Sequence, residues 1–478
     1  MTQEQPANRA IITFTAFVTL LAASILFVVA ARGDLWLDEI HSLAFAEYAT
    51  NAWDLFTRFK NDNNHLLNSL YLYLLGPQNH FSAYRMLSVL SGIGSLLILW
   101  RLARKRGDLE ALFTVLLAGS SYPLILYFSE ARGYAPAIFF TLLAYMQLER
   151  CRGRVAPTGV ALFWMAAVLG LLAHFTSVVI LAAMACVSMG REYRSGSSLQ
   201  RSLLRLAALY ALPAASFLAL YFFFICHMAI GGGDSFAYGD VFRRASAVLV
   251  GAPDGQLWGS AALLLYITVV IAGTWLLYCT GDDSWTFYPL ALLVFPLLML
   301  AVTRPQVLYF RYFVICFPFF YLLCGTLLGM LCRSRTTGYR WAAAALIIFI
   351  AAGHATRVIP LCTLGRGNYS AALAYIAART PGPVIRIGSD HDYRNGMLLS
   401  FYSRYLTDGK KLQYVNQELM PVKRPEWIIT HSQEHAYLPQ TVLGLEQTGV
   451  YRLVKRYPYA DDSGWNWYVY RRENTGDM

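Results

Sequence analysis

The sequence predicts a mostly α protein: a polytopic bundle of about eleven membrane spans, with juxtamembrane helices in its first outer loop and a small α/β domain at its C-terminal end. Three observations predict this. Up to about residue 360, apolar stretches of roughly 17 to 24 residues alternate with short polar links. Basic residues gather in those links. Beyond residue 361 the long apolar stretches stop, and short β-branched and aromatic runs take over.

Composition agrees. Hydrophobic residues make up 57% of the 478-residue chain and charged residues 14%, against about 25% charged in a soluble domain. With no water to satisfy the backbone inside lipid, such stretches must be helices. Spans are expected near 10–31, 84–100, 109–128, 134–149, 156–173, 175–190, 203–225, 259–279, 285–303, 311–332 and 341–359. The stretch at 10–31 has only Arg9 as a basic flank and a poor cleavage signal ("VVAARG"), so it reads as a retained first helix.

Orientation follows from the basic clusters. They are Arg101, Arg104, Lys105 and Arg106; Arg150, Arg152 and Arg154; Arg191, Arg194, Arg201 and Arg205; and Arg333, Arg335 and Arg340. With the N-terminus inside, all four are cytoplasmic, and so is the acidic link "TGDDSW" at 280–285. Residues 32–83, 129–133, 226–258 and 303–311 then lie outside, as does the tail. The chain divides into a membrane domain at 1–361, whose outer loop 32–83 carries the juxtamembrane helices, and an α/β domain at 362–478.

The net charge of +11 does not point to nucleic acid, because the basic residues punctuate apolar stretches and form no aromatic-interleaved basic face. The eight cysteines lie mostly in or beside apolar stretches and none pair at zinc spacing, which argues against a disulfide scaffold or structural zinc.

Candidate chemistry concentrates in the outer segments. Asp38 and Glu39 open an amphipathic stretch just past the first span, where a helix N-terminus stabilises negative charge. Taken alone, the pair reads as a cap at Asp38 and a first-turn acid, with His41 in the third position of an incomplete capping box. "NDNNHLLN" (61–68) places polar residues and His65 before a short helix. "SEARGY" (129–134) sets Glu130 and Arg132 in a tight turn between spans, either as a mutual ion pair or as functional groups. "TRPQVLYFR" (303–311) brings Arg304, Tyr309 and Arg311 to the mouth of a late span, where an arginine either snorkels to headgroups or forks onto a phosphate. Arg243 and Arg244 are weaker phosphate candidates, and His174, in a tight turn, reads as structural.

The order of these motifs resembles the bacterial glycosyltransferases of the GT-C superfamily, and within them the protein O-mannosyltransferase and aminoarabinose-transferase-like branch. "DE", "SEARGY" and "FRYF" carry the resemblance, which covers the membrane part. It implies an inverting enzyme that moves a sugar from a polyprenyl-phosphate donor to a hydroxyl of an acceptor on the periplasmic side of the bacterial inner membrane: lipid A, a surface glycan or a protein. It implies Asp38 as catalytic base and Glu39 as its neighbour at the acceptor site. Arg304, Arg311 and Arg132 are expected at the donor phosphate, with Glu130, His65, His41 and Tyr309 in support. Relatives follow the histidine with prolines where this chain has "HLLN", which weakens the case for His65. No metal site and no cofactor are expected, although some branches use a divalent metal; membrane lipids are expected partners and nucleic acid is not. The competing classes are a transporter or flippase, which favours charges inside matched halves, and an envelope polysaccharide ligase or polymerase, which relies on larger Arg- and His-rich outer loops.

Overall fold

A computed structural model describes residues 6–152, 156–232, 236–334, 336–407, 409–433, 439–445 and 448–473. Arg154 and Arg335, from two of the basic clusters, lie outside the described residues. Contacts divide the chain into two compact units. One holds the residues up to Ala31, Phe45–Pro77 and Tyr84–Thr356; the other holds Arg32–Ala44, Gln78–Ala83 and the chain from Arg357 onward.

Helices occupy all eleven expected span positions. Among the described residues seven are long and apolar enough to cross a membrane, and the bent pair Asp108–Ser120 and Tyr122–Phe128 makes eight when counted as one span. The remaining three are Tyr134–Arg150, Pro157–Ala173 and Ser177–Arg194. The first two have 17 residues each, at the lower limit for a span. The third ends in Arg191, Glu192 and Arg194, which shortens its apolar part.

The bent pair sets the position of the "SEARGY" turn. Its two helices meet at 66°. Pro123 sits in the first turn of the second helix, where a missing N–H costs nothing. Polar groups at the break find side-chain partners within the helical unit, as a low-dielectric setting demands. The Ser121 hydroxyl lies 2.7 Å from Tyr321 Oη, and the Tyr122 N–H donates to His354 Nδ1 at 3.3 Å.

At one end of this unit the basic clusters meet acids. Arg9 and Arg104 both pair with Asp108. The link at 280–285 pairs with three clusters at once: Asp282 with Arg106 at 3.0 Å, and Asp283 with Arg152 and Arg191. Arg333 pairs with the fully buried Glu110. The more exposed of these pairs, such as Arg152–Asp283, contribute little stability each. They show that the four clusters, read from sequence as one side of the membrane, share one end of the bundle with the acidic link.

The second unit contains a six-stranded sheet. Its strands are β1 (Val384–Ser389), β2 (Lys411–Val415), β3 (Trp427–Ser432), β4 (Val442–Leu445), β5 (Gly449–Tyr457) and β6 (Asn466–Arg472). The order is β2-β1-β3-β6-β5-β4, with β2, β1 and β3 parallel and the others antiparallel. Helices Tyr369–Arg379 and Asp392–Ser403 pack with it. Trp427 and Trp467 are fully buried, yet both indole N–H groups are satisfied, by Thr380 Oγ1 and Asn395 Oδ1 at 2.9 Å each.

The segment that follows the first span belongs to this unit. Asp34 caps the helix Tyr369–Arg379 from a distance in sequence: Oδ2 accepts from the Ser370 N–H at 2.7 Å and Oδ1 from its hydroxyl at 2.8 Å. Leu35 O accepts from Tyr402 Oη at 2.7 Å. The Trp36 ring packs edge-on against Trp465, with centroids 6.3 Å apart.

Candidate active site

The acidic pair opens the helix Leu37–Tyr48, with Asp38 and Glu39 both in the first turn. The capping frame is shifted by two residues from the sequence reading. Glu39 Oε2 accepts from the Trp36 N–H at 3.2 Å, which makes Trp36 the cap and Glu39 the third-position acid of a half capping box. Glu39 is 1% exposed, whereas Asp38 is half-buried. The two carboxylates are therefore not equivalent: one fixes the helix start and the other remains partly open. His41, one turn on, is half-buried with its ring 6.4 Å from that of Tyr393.

In the helical unit a second polar centre forms around the turn 129–133. Arg132, 3% exposed, donates from Nη2 to Asn63 Oδ1 at 2.7 Å, places Nη1 3.7 Å from Glu130 Oε1, and lies over the Tyr134 ring at 5.0 Å. Asn68 Nδ2 donates to Ala131 O at 2.9 Å, and His65 Nδ1 accepts from the Gly133 N–H at 3.0 Å. The "NNHLLN" segment thus holds the "SEARGY" turn by its backbone, while the arginine side chain is fixed by Asn63 and Glu130. Tyr134 completes a ring cluster, with His65 at 5.3 Å and His174 at 4.6 Å.

Gly133 is set by space rather than by backbone conformation, since its φ is −74°. A Cβ there would come 1.9 Å from Ala173 O and 2.7 Å from His65 Cβ. The turn between Ala173 and Ser177 is therefore pressed directly onto the "SEARGY" turn. His174 anchors that contact, accepting at Nδ1 from the Thr176 N–H at 3.3 Å.

Both histidines are held neutral. Burial, then Arg132, His174 and Arg311, depress His65 well below the usual histidine range; burial, then Arg132 and Arg311, bring His174 down to about 3. Both arginines therefore act on the same histidine pair, and the centre is electropositive without histidine charge. A folded-state pKa lowered in this way gives stability that is present above pH 6.5 and lost as the pH falls toward 3. The unfolding free energy of the purified protein is expected to fall between pH 6.5 and 4 by about 1.4 kcal/mol per pH unit for each histidine, read as a falling melting temperature. His174→Asn should flatten that slope; an identical slope in the variant would remove His174 as its source.

Arg311 stacks over the Tyr309 ring at 4.4 Å. Arg304 stands apart from these contacts, exposed in a left-handed conformation (φ 43°) at the end of the helix Phe295–Thr303. Asp38, Glu39 and His41 belong to the unit that contains the sheet, and Glu130, Arg132, His65, Arg304, Tyr309 and Arg311 to the helical unit. Sequence reasoning missed Asn63 and Asn68 as individual partners, and Tyr134 and His174 as ring neighbours. The polar run 61–65 before an apolar helix was the signal for Asn63, but nothing local marked the partners. Among the described residues no group of three or more His, Cys, Asp or Glu side chains is placed to hold a metal.

No protein-family profile and no curated protein matches the chain. Two crystal structures of ArnT from Cupriavidus metallidurans are similar to it in fold, one in the apo state and one bound to undecaprenyl phosphate. Each is 13% identical and covers 96% of this chain and 98% of ArnT, with TM-scores of 0.57 and 0.53. The chain accordingly shares the fold of ArnT over nearly its whole length, in line with the architecture that its motif order implied.

Proposed function

We propose that this chain is an inverting membrane glycosyltransferase that moves a sugar from a polyprenyl-phosphate donor to a hydroxyl acceptor. The observation that carries this reading is the GT-C fold over 96% of the chain, shared with an ArnT that holds undecaprenyl phosphate. The chemistry of the two polar centres supports it.

In this reading Asp38 takes the proton of the acceptor hydroxyl while that oxygen attacks C1 of the sugar. The C1–O bond to phosphate breaks, its electron pair leaves on the phosphate oxygen, and C1 inverts in the single displacement. Arg132 and Arg311 stabilise the charge that appears on the phosphate. Arg132 suits the task because Asn63 and Glu130 already hold it, so little reorganisation accompanies reaction. Glu39 acts by fixing the start of the Asp38 helix. Arg304, exposed at a helix end, serves as an outer cation for the approaching headgroup.

An apolar cavity of about 220 Å³ in the helical unit suits the isoprenoid chain. Phe242, Leu249, Tyr266, Leu292, Phe313 and Phe317 line it. Phe313 and Phe317 follow Arg311 in the same segment. The wall at Leu290–Val294 is a π-helical turn, in which Tyr266 Oη donates to Leu292 O.

We place the reaction on the periplasmic side of a bacterial inner membrane. The helix Tyr134–Arg150 starts at the Arg132 turn and ends in the basic cluster. Its 17 residues put the two about 25 Å apart, and the positive-inside rule assigns the basic end to the cytoplasm.

Arg311→Ala tests the donor contact. Losing a charge-assisted bond costs about 1.5–3 kcal/mol, so the donor concentration at half-maximal rate should rise about tenfold to hundredfold. An unchanged dependence on donor concentration in steady-state assays would take Arg311 out of the phosphate site.

A further inference from the structure

The unit that contains the sheet has a second cluster of chemistry-bearing side chains, apart from the acidic pair. Strand β1 lies between β2 and β3, all parallel. The chain leaves β1 through the helix Asp392–Ser403 toward β2, and leaves β3 toward the other side of the sheet. The carboxyl ends of β1 and β3 therefore flank a topological switch point, where open α/β sheets form their ligand crevices.

The residues gathered there are Asp390, His391, Arg394, His431 and Trp465. Asp390 Oδ2 accepts from the His431 N–H and Oδ1 lies against His431 Nδ1, each at 2.9 Å; Oδ1 also accepts from Asn395 Nδ2 at 2.9 Å. With Nδ1 donating, His431 Nε2 accepts from Arg394 Nη1 at 3.3 Å. The Arg394 guanidinium lies over the Trp465 ring at 5.5 Å, and the ring of His391 meets that of His431 at 5.8 Å. The cluster is held in place yet not sealed, since the side chains of His431 and Asp390 are 12% and 32% exposed. Trp465 is 4% exposed, and among the described residues its indole N–H has no partner. A buried donor without a partner is costly, and this one sits against the groups that wall the crevice.

The donor and acceptor types present fit one class of ligand. A saccharide offers hydroxyls that both donate and accept, together with an apolar C–H face. The crevice offers an acceptor-only carboxylate, a donor-only guanidinium, two imidazoles and the Trp465 ring. It also adjoins the acidic pair inside the same unit. Trp465 packs on Trp36, which caps the Asp38 helix, and Tyr393 packs on His41, one turn beyond Asp38.

We propose that the crevice at the carboxyl ends of β1 and β3 binds a saccharide portion of the acceptor and presents its hydroxyl to Asp38. The word acceptor rests on the glycosyl-transfer reading; saccharide binding does not. The test is saturation-transfer NMR on the full-length protein in detergent, with methyl α-mannoside, methyl β-glucoside and N-acetylglucosamine as probes at millimolar concentration. Undecaprenyl phosphate binding is measured in parallel on the same samples. At least one glycoside should receive saturation from the wild-type protein. That signal should fall fivefold or more in Arg394→Ala and in His431→Gln, with melting temperature and undecaprenyl phosphate binding unchanged. Transfer to none of the probes, or equal transfer in wild type and both variants, overturns the proposal. Glycoside binding that depends on Arg394 without any undecaprenyl phosphate binding would uphold the crevice and overturn the transfer reading.

Discussion

Asp38→Asn is expected to lower glycosyl transfer by about 100- to 10,000-fold, the range for loss of a general base, while leaving melting temperature and membrane insertion unchanged. Asparagine matches aspartate in shape, and the helix start does not depend on residue 38, because the side chain that reaches the Trp36 N–H belongs to Glu39. The neighbouring change sharpens the test. Glu39→Gln keeps an oxygen for the Trp36 N–H and should hold transfer within about tenfold of wild type, the scale of one neutral hydrogen bond. Rate assays on both variants at saturating donor separate the roles. Near-normal transfer by Asp38→Asn would remove it as base, and equal losses from both would make the pair a single unit.

Gly133→Ala is expected to destabilise the helical unit by about 3 kcal/mol, toward the upper end for overpacking. The added carbon would lie 1.9 Å from a backbone oxygen, Ala173 O, which cannot swing aside as a flexible side chain does. Relief requires the turns 129–133 and 174–176 to part. That parting would break the Gly133–His65 bond and displace Arg132, so donor use should fall together with stability. Thermal unfolding in detergent reads the first effect and donor-concentration dependence the second. An unchanged melting temperature would contradict the packing described at this turn.

These two sites differ in how far the sequence revealed them. The spans were legible because lipid imposes one solution on an apolar stretch; the three helices of marginal length or charge, Tyr134–Arg150, Pro157–Ala173 and Ser177–Arg194, are those where length and composition alone stop deciding. Asp38 and Glu39 were legible as a helix start, but not which of them faces inward. That depends on Trp36, a residue with no capping side chain, taking the cap position. The tail strands showed through their β-branched and aromatic runs, except β4, four residues with Gly444 in the middle. Contacts between distant segments left no local trace. Asp34 capping Ser370, 336 residues away, looks in the sequence like one more acid near the membrane exit. The π-helical turn at Leu290–Val294 is equally silent, because its residues are those of an ordinary apolar helix.

Glycosyl transfer from the lipid donor is measured most directly as the release of free undecaprenyl phosphate. Purified protein in liposomes would be given undecaprenyl-phosphate-linked mannose, glucose or aminoarabinose with a lipid A and glycan extract, and the released lipid phosphate followed by mass spectrometry. Acceptor-dependent release from at least one donor is expected of the wild-type protein, with loss of that release in Asp38→Asn. No release from any donor, or release by Asp38→Asn at the wild-type rate, would contradict it.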